Sequence, residues 1–202
     1  MIQHLVERLT WADEPAAVDT LATAFADYPL FPPLCPNPLR RPAVIQAFCR
    51  FLYRTAVRNG GAYGTADRTA VVCSWPVGSE WSGLWNDIRS GGLSLAWQIG
   101  WHATRLLLQL GNHLNSACRK HVPEAHCYVP LLAVRPEAQG QGLSRVVLQI
   151  VFNNADYQKV PVYLETMKEA NVVIYQRLGF ELVGYRIVAG GLPNWEFLRK
   201  SH

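Results

Sequence analysis

The stretch AQGQGLS at 138–144 carries two glycines one residue apart, between the apolar run CYVPLLAV and the helical run SRVVLQIVF. Glycines this close give a backbone that turns tightly or lets another molecule approach it. A strand, a glycine turn and a helix in that order form an anion site. The first amides of the helix have no intrahelical acceptor, and the helix dipole adds partial positive charge there. Without Cβ atoms at Gly140 and Gly142, phosphate oxygens can reach those amides. The turn lacks the lysine of a Walker loop, and it lacks the three glycines after a first strand that dinucleotide sites use. Loop physics alone leaves two readings, a phosphate cradle or a tight strand-to-helix turn with no ligand. Further along, Asn171 and Tyr175 stand four apart in EANVVIYQRL and share one helix face, as ligand contacts or as core.

The elements that must hold these residues follow from periodicity. IQHLVERLT (2–10) alternates as a strand, and AAVDTLATAFA (16–26) has helical spacing after Asp13-Glu14-Pro15. The proline-rich 28–39 reads as a loop, and a second helix runs from about Pro42 to Arg58, before Gly60-Gly61. Segments 62–66 and 69–77 form a hairpin around Asp67-Arg68. The chain from Trp81 to about Lys120 is helical with a break near Ser90-Gly91-Gly92. Strands at 126–134 and 160–166 alternate with helices at 144–158 and 169–178, and FELVGYRIVA and NWEFLRK close as a strand pair. Such alternation predicts a mixed α/β sheet covered by helices, and no repeat or linker divides it.

The chain has 202 residues, enough for one well-cored domain, with half of them hydrophobic and a formal net charge of +4. That balance fits a folded protein with mild preference for anionic partners, and no Lys/Arg run is dense enough for a nucleic-acid surface. Five cysteines without CxxC spacing read as buried reduced thiols, not as a metal site or a disulfide framework. The N-terminus lacks a signal-peptide layout, and LSLAWQIGWHATRLLLQL (93–110) carries His102 and Arg105 near its middle, which argues against a membrane span. A cytoplasmic protein with no membrane partner, monomeric or homodimeric, is expected.

V-x-P-x-x-Q-G-Q-G-L-S resembles the pyrophosphate loop of the GNAT acetyltransferases, Gln/Arg-x-x-Gly-x-Gly/Ala, with Gln139, Gly142 and Ser144 at its three positions. Serine departs from Gly/Ala, but it is small, and its hydroxyl can cap the helix or touch a phosphate. PVYLET followed by NVVIYQRLGF resembles the second half of the same coenzyme A site. LATAFADYP, AVVCSWP and NWEFLRK are similar to stretches of the branch that includes puromycin N-acetyltransferase. The likeness covers nearly the whole chain and is weakest over 80–120.

The resemblance implies one GNAT domain over 1–202, with a central mixed, mostly antiparallel sheet flanked by helices, a splayed parallel strand pair at 126–134 and 160–166, and a helical insertion at about 81–120. It implies acetyl-CoA as cosubstrate, no metal, and direct attack by a primary amine. Leu132, Ala133 and Val134 would pair with the pantetheine arm, the amide near Leu132 polarising the thioester carbonyl. Pro130 cannot donate to a ladder, so a bulge or an edge is expected beside them. Gln139, Gly140, Gln141, Gly142, Leu143, Ser144 and Asn171 would hold the rest of the coenzyme. Tyr175 would protonate the leaving thiolate, since a phenol of pKa about 10 stays protonated where a thiol of pKa about 8.5 departs.

Many members of that family place a basic glutamate where this chain has Tyr128, so the base stays open between His126, Glu165 and an amine neutral enough to need none. The resemblance puts the acceptor at the other cleft mouth, near Asp27, Tyr28, Phe31, Trp75, Trp85 and Tyr128. Trp81 with Trp85 and Trp97 with Trp101 are i,i+4 pairs, as core or as a wall for a flat amine. The acceptor expected is a small-molecule amine. A protein or peptide amine, or a non-catalytic CoA sensor, are the alternatives.

Overall fold

The computed structural model describes residues 6–77, 88–122 and 125–201. One seven-stranded sheet runs through them: β1 (Val6–Arg8), β2 (Ala62–Thr65), β3 (Ala70–Trp75), β4 (Cys127–Val134), β5 (Val162–Thr166), β6 (Glu181–Val188) and β7 (Leu192–Arg199). Their order across the sheet is β1-β2-β3-β4-β5-β7-β6, and every neighbouring pair is antiparallel except β4 with β5. Helices α1 (Glu14–Ala24), α2 (Phe31–Leu34), α3 (Arg41–Arg58) and α4 (Gly92–His121) precede β4 in the chain; α5 (Leu143–Tyr157) and α6 (Asn171–Arg177) follow it. The mixed, mostly antiparallel sheet flanked by helices is the architecture expected.

The two sheet faces have separate cores. Leu21, Phe31, Tyr53 and Leu131 belong to one; Val147, Leu148, Phe152, Tyr175 and Phe197 belong to the other. In α5, residues 143, 147, 148, 151, 152 and 155 are all buried, which is the stripe of a helix lying flat on a sheet. The hairpin turn works without glycine because Asp67 takes its place. Its carboxylate accepts from the Thr65 hydroxyl at 2.6 Å and the Thr69 amide at 3.1 Å, and Arg68 takes φ of +61°.

The strand pair at the centre is splayed. Parallel pairing of β4 with β5 covers only Cys127↔Val162 and Tyr128↔Tyr163. Beyond it β4 follows β3, and β5 follows β7 to Thr166↔Trp195. Pro130 marks the divergence. On β3, Cys73 and Trp75 are two apart, while their partners Leu131 and Tyr128 are three apart, so β4 carries one extra residue there. Val129 therefore packs into one core and Leu131 into the other, although residues two apart on a regular strand share a face. The bulge re-aims β4 away from β5 and leaves its edge from Val129 to Val134 without a strand partner.

Two local expectations are corrected. Residues 31–34 form a helical turn inside the stretch read as loop, because Pro32 and Pro33 fall in its first turn, where no amide is needed. The long helix α4 is interrupted at Gly100, with φ of +78° and ψ of 170°. All five cysteines are free and buried. No described helix is long and apolar enough to cross a membrane.

Candidate active site

A cleft of about 580 Å³ occupies the wedge between the diverging ends of β4 and β5. Its walls are the free edge of β4, the glycine turn and start of α5, the end of β5 with α6, and the α1 end at Ala24, Phe25 and Tyr28. Leu132, Ala133, Val134, Gln139, Gly140, Gly142, Leu143, Ser144, Asn171, Tyr175, Glu165 and Tyr28 of the expected site all meet there.

The turn has the conformation that glycine permits. Gly140 and Gly142 both have φ of +79°, where an ordinary side chain is strained, and a Cβ on either would meet no atom within 4 Å. Neither glycine is required by packing; each lines open cleft space. Gly142 stands at the N-cap of α5 and no side chain caps the helix, so the first amides of α5 are directed to the cleft end without an intrahelical acceptor. Gln139 donates its Nε2 to the Val134 carbonyl at 3.2 Å, which fastens the turn to the end of β4. Gln141 is exposed and does not line the cleft. Arg145, Lys168 and Arg177 add positive charge to the walls; the resemblance had pointed to none of them.

The opposite wall is a hydrogen-bonded group at the end of β5. Asn171 donates Nδ2 to the Thr166 hydroxyl at 3.0 Å, and Tyr28 OH accepts from the Met167 amide at 2.8 Å and lies 3.5 Å from the same hydroxyl. Thr166, the last residue of PVYLET but given no role by the resemblance, thus links the first helix–loop to α6. Burial raises the Tyr28 phenol above its ordinary value, and the Thr166 and Met167 contacts only partly offset this. Tyr175 lies between Phe180 and Phe197, with ring centroids 6.0 and 5.4 Å away in edge contacts. Burial, then the neighbouring Tyr28, raises its phenol as well, so Tyr175 is a protonated hydroxyl at neutral pH.

Glu165 lies where β4 and β5 begin to part. Its Oε1 accepts from Tyr128 OH at 2.6 Å. Burial pushes its carboxyl up to about 7; Tyr128 and Tyr163 pull it down, Glu196 raises it and Arg186 lowers it. Trp75 stacks on Tyr128 at 5.1 Å and Tyr128 on Tyr163 at 6.1 Å, forming an aromatic wall that keeps water from the carboxylate. Tyr128, which stands where many members of the family have a glutamate, therefore contacts the one carboxylate that lines the cleft among the described residues. His126 lies elsewhere, its Nε2 3.1 Å from Cys118 Sγ and outside the cleft walls.

The acceptor side differs more from expectation. Phe31 is fully buried and packs edge-on against Phe48 at 5.6 Å, so it is core and not pocket wall. Asp27 is exposed and pairs with Lys168 at 2.9 Å, so its charge is already matched. Trp97 and Trp101 are 86% and 79% exposed on α4, neither core nor wall, and the Gly100 break between them removes the i,i+4 geometry that their spacing suggested. Trp81 and Trp85 lie outside the described residues.

Residues 113–197 match the family model described as acetyltransferase (GNAT) domain. With the splayed strand pair and the glycine turn, this match supports a GNAT-superfamily acetyltransferase that uses acetyl-CoA. An uncharacterised N-acetyltransferase of Schizosaccharomyces pombe is 22% identical over 180 residues, which span 86% of this chain and 73% of that relative. A Corynebacterium glutamicum structure described as histone acetyltransferase HPA2 and related acetyltransferase superposes with TM-score 0.72 at 22% identity, covering 100% of this chain and 98% of the other. Polyamine N-acetyltransferase of Drosophila melanogaster, an enzyme that forms N-acetylagmatine, superposes with TM-score 0.65 at 16% identity, covering 97% and 99%.

Proposed function

We infer that the protein transfers the acetyl group of acetyl-CoA to the primary amine of a small molecule by direct attack in a ternary complex. The observation that carries this reading is a single cleft holding three things: an unpaired strand edge, a glycine turn at a helix N-terminus, and two groups matched to opposite proton tasks. The wedge suits acetyl-CoA. Its turn offers amides and cations for a diphosphate, and the β4 edge offers backbone groups for an extended amide-bearing arm. The coenzyme supplies an acetyl thioester open to attack by nitrogen.

The residues of this chain do the rest. The amide near Leu132 holds the carbonyl oxygen and favours the charge that develops there. Glu165, with a carboxyl near neutrality, takes the proton that nitrogen must lose, directly or through one water. Tyr175 holds a proton at its hydroxyl for the departing sulfur, and Asn171 and Thr166 fix α6 against β5 so that this hydroxyl stays at the cleft. Phe25 and Tyr28, edge-on at 5.0 Å, offer an apolar rim where an amine would enter. The amine acceptor of the polyamine acetyltransferase of like fold supports a small-molecule acceptor here.

The test is thiol release from acetyl-CoA with a panel of primary amines, including polyamines, aryl-ethylamines and a peptide N-terminus, with products identified by mass. Release with a small amine and a product heavier by one acetyl group is expected. Turnover confined to the peptide would favour a protein acceptor, and acetyl-CoA binding with no release for any amine would make the protein a sensor.

A further inference from the structure

The cleft does not end the polar chemistry around Glu165. Glu165 on β5 and Glu196 on β7 are directly opposed in the ladder, so their side chains leave the same face about 5 Å apart. Glu196 is fully buried, and its Oε2 is 2.9 Å from Nε2 of His121, the last residue of α4. Arg186 of β6 pairs with the same carboxylate at 3.0 Å. The His121 side chain is 18% exposed, so this row of groups begins at the cleft and ends in solvent. Glu196 Oε1 is held by Arg186 Nε, whereas Glu165 Oε2 and the side-chain amide of Asn194 are buried along the row with no hydrogen bond to the described residues, and groups of that kind are bridged by water.

The backbone is shaped to keep the row. Gly184 of β6 sits opposite Glu196 at a register shift. A Cβ there would come within 3.0 Å of His121 Nε2 and would overlap Glu196 Oε2. Its strand conformation is ordinary, so close approach by the carboxylate and imidazole, not turn geometry, accounts for a glycine inside this strand.

The reaction proposed above, on which this inference rests, requires such a path. An ammonium acceptor loses two protons as the N–C bond forms and the C–S bond breaks. One ends on the sulfur through Tyr175, which is then reprotonated, and the other must reach solvent. Coenzyme and acceptor fill the two cleft mouths when that proton is released.

We propose that Glu196 and His121 form a proton exit from Glu165 to the surface, His121 exchanging the proton with buffer and Arg186 holding the Glu196 carboxyl in place. The charged and titratable groups facing this pair are Glu165 and Tyr163 of β5, Tyr128 of β4, Arg186 of β6, and Cys118 and Arg119 of α4. His121 and Glu196 are positioning and relay residues, since neither lines the cleft.

The experiment measures steady-state acetyl transfer to an amine that the wild type turns over, in weak and in strong imidazole buffer, for His121→Ala, His121→Gln and Gly184→Ala. The relay predicts kcat about tenfold lower for each variant in weak buffer, with KM for acetyl-CoA unchanged and imidazole restoring most of the His121→Ala loss. Glutamine keeps a donor for Glu196, so His121→Gln activity equal to wild type in weak buffer would overturn the relay and leave His121 a structural partner. A His121→Ala loss that imidazole does not restore would overturn it also. Wild type with no turnover for any amine would defeat the acetyl-transfer reading itself, and the relay with it.

Discussion

Replacing Glu165 by glutamine separates stability from catalysis. The side chain stays isosteric and keeps an oxygen for Tyr128, but it can no longer ionise. In the folded protein the carboxyl titrates near 7, against 4.5 for an exposed glutamate. At 1.36 kcal/mol per tenfold change, that difference costs the folded, ionised state about 3 kcal/mol. The folded protein holds the proton more tightly than the unfolded chain. The penalty is therefore absent below about pH 4.5, grows as pH rises towards 7, and is constant above it. In urea unfolding at about pH 8.5, Glu165→Gln should be more stable than wild type by about 3 kcal/mol with an unchanged m value, and at about pH 5 by under about 1 kcal/mol. The same substitution should lower amine acetylation by about 100-fold or more, the range for a lost general base. A stability difference independent of pH, or a glutamine variant less stable at about pH 8.5, would refute the burial argument; retained turnover would refute the catalytic one.

Wild-type kcat/KM should rise with pH through about 7 as Glu165 ionises, and Glu165→Gln should lose that limb; a rising limb that survives in the variant assigns it to another group. Tyr175→Phe should lower kcat about tenfold or more and leave acetyl-CoA affinity near wild type, measured by calorimetry; full turnover removes the hydroxyl from the mechanism. Gly142→Val forces a β-branched residue to a φ of +79° and fills the cradle, so acetyl-CoA binding should weaken at least about tenfold while the fold persists by circular dichroism. Thr166→Val removes the hydroxyl shared by Asn171, Tyr28 and the Lys168 amide, and should lower kcat through a loosened α6, with a thermal midpoint lower by a few degrees.

The parts of the site legible in sequence were those that backbone chemistry dictates locally. Gly140 and Gly142 were readable because only glycine takes their φ at little cost, and the bulge was readable because Pro130 cannot donate to a ladder, while the splay itself was implied by the family resemblance. Asn171 and Tyr175 share a face by helical spacing alone. What was not legible depends on partners far along the chain. Phe31 sits in a proline-rich stretch with no period to say which way it turns, and the one-turn helix directs it into the core. The spacing of Trp97 and Trp101 implies a shared face only if the helix is continuous, and Gly100 interrupts it. Glu196 alternates in NWEFLRK like an exposed strand residue, yet α4 covers that face and His121 and Arg186 meet it there. Glu165 was one of two candidate bases, beside an amine that needs none; its elevated pKa arises from burial, which outweighs the lowering by Tyr128 and Tyr163 and depends on strands far apart in sequence.

Hydrogen exchange of the whole protein with and without acetyl-CoA tests the central claim most directly, because it reads the backbone amides to which binding is assigned. Slower exchange at 140–146 and at 132–134 on adding acetyl-CoA, abolished by Gly142→Val, is the predicted result. Unchanged exchange at the turn, or protection confined to another part of the chain, would contradict the account.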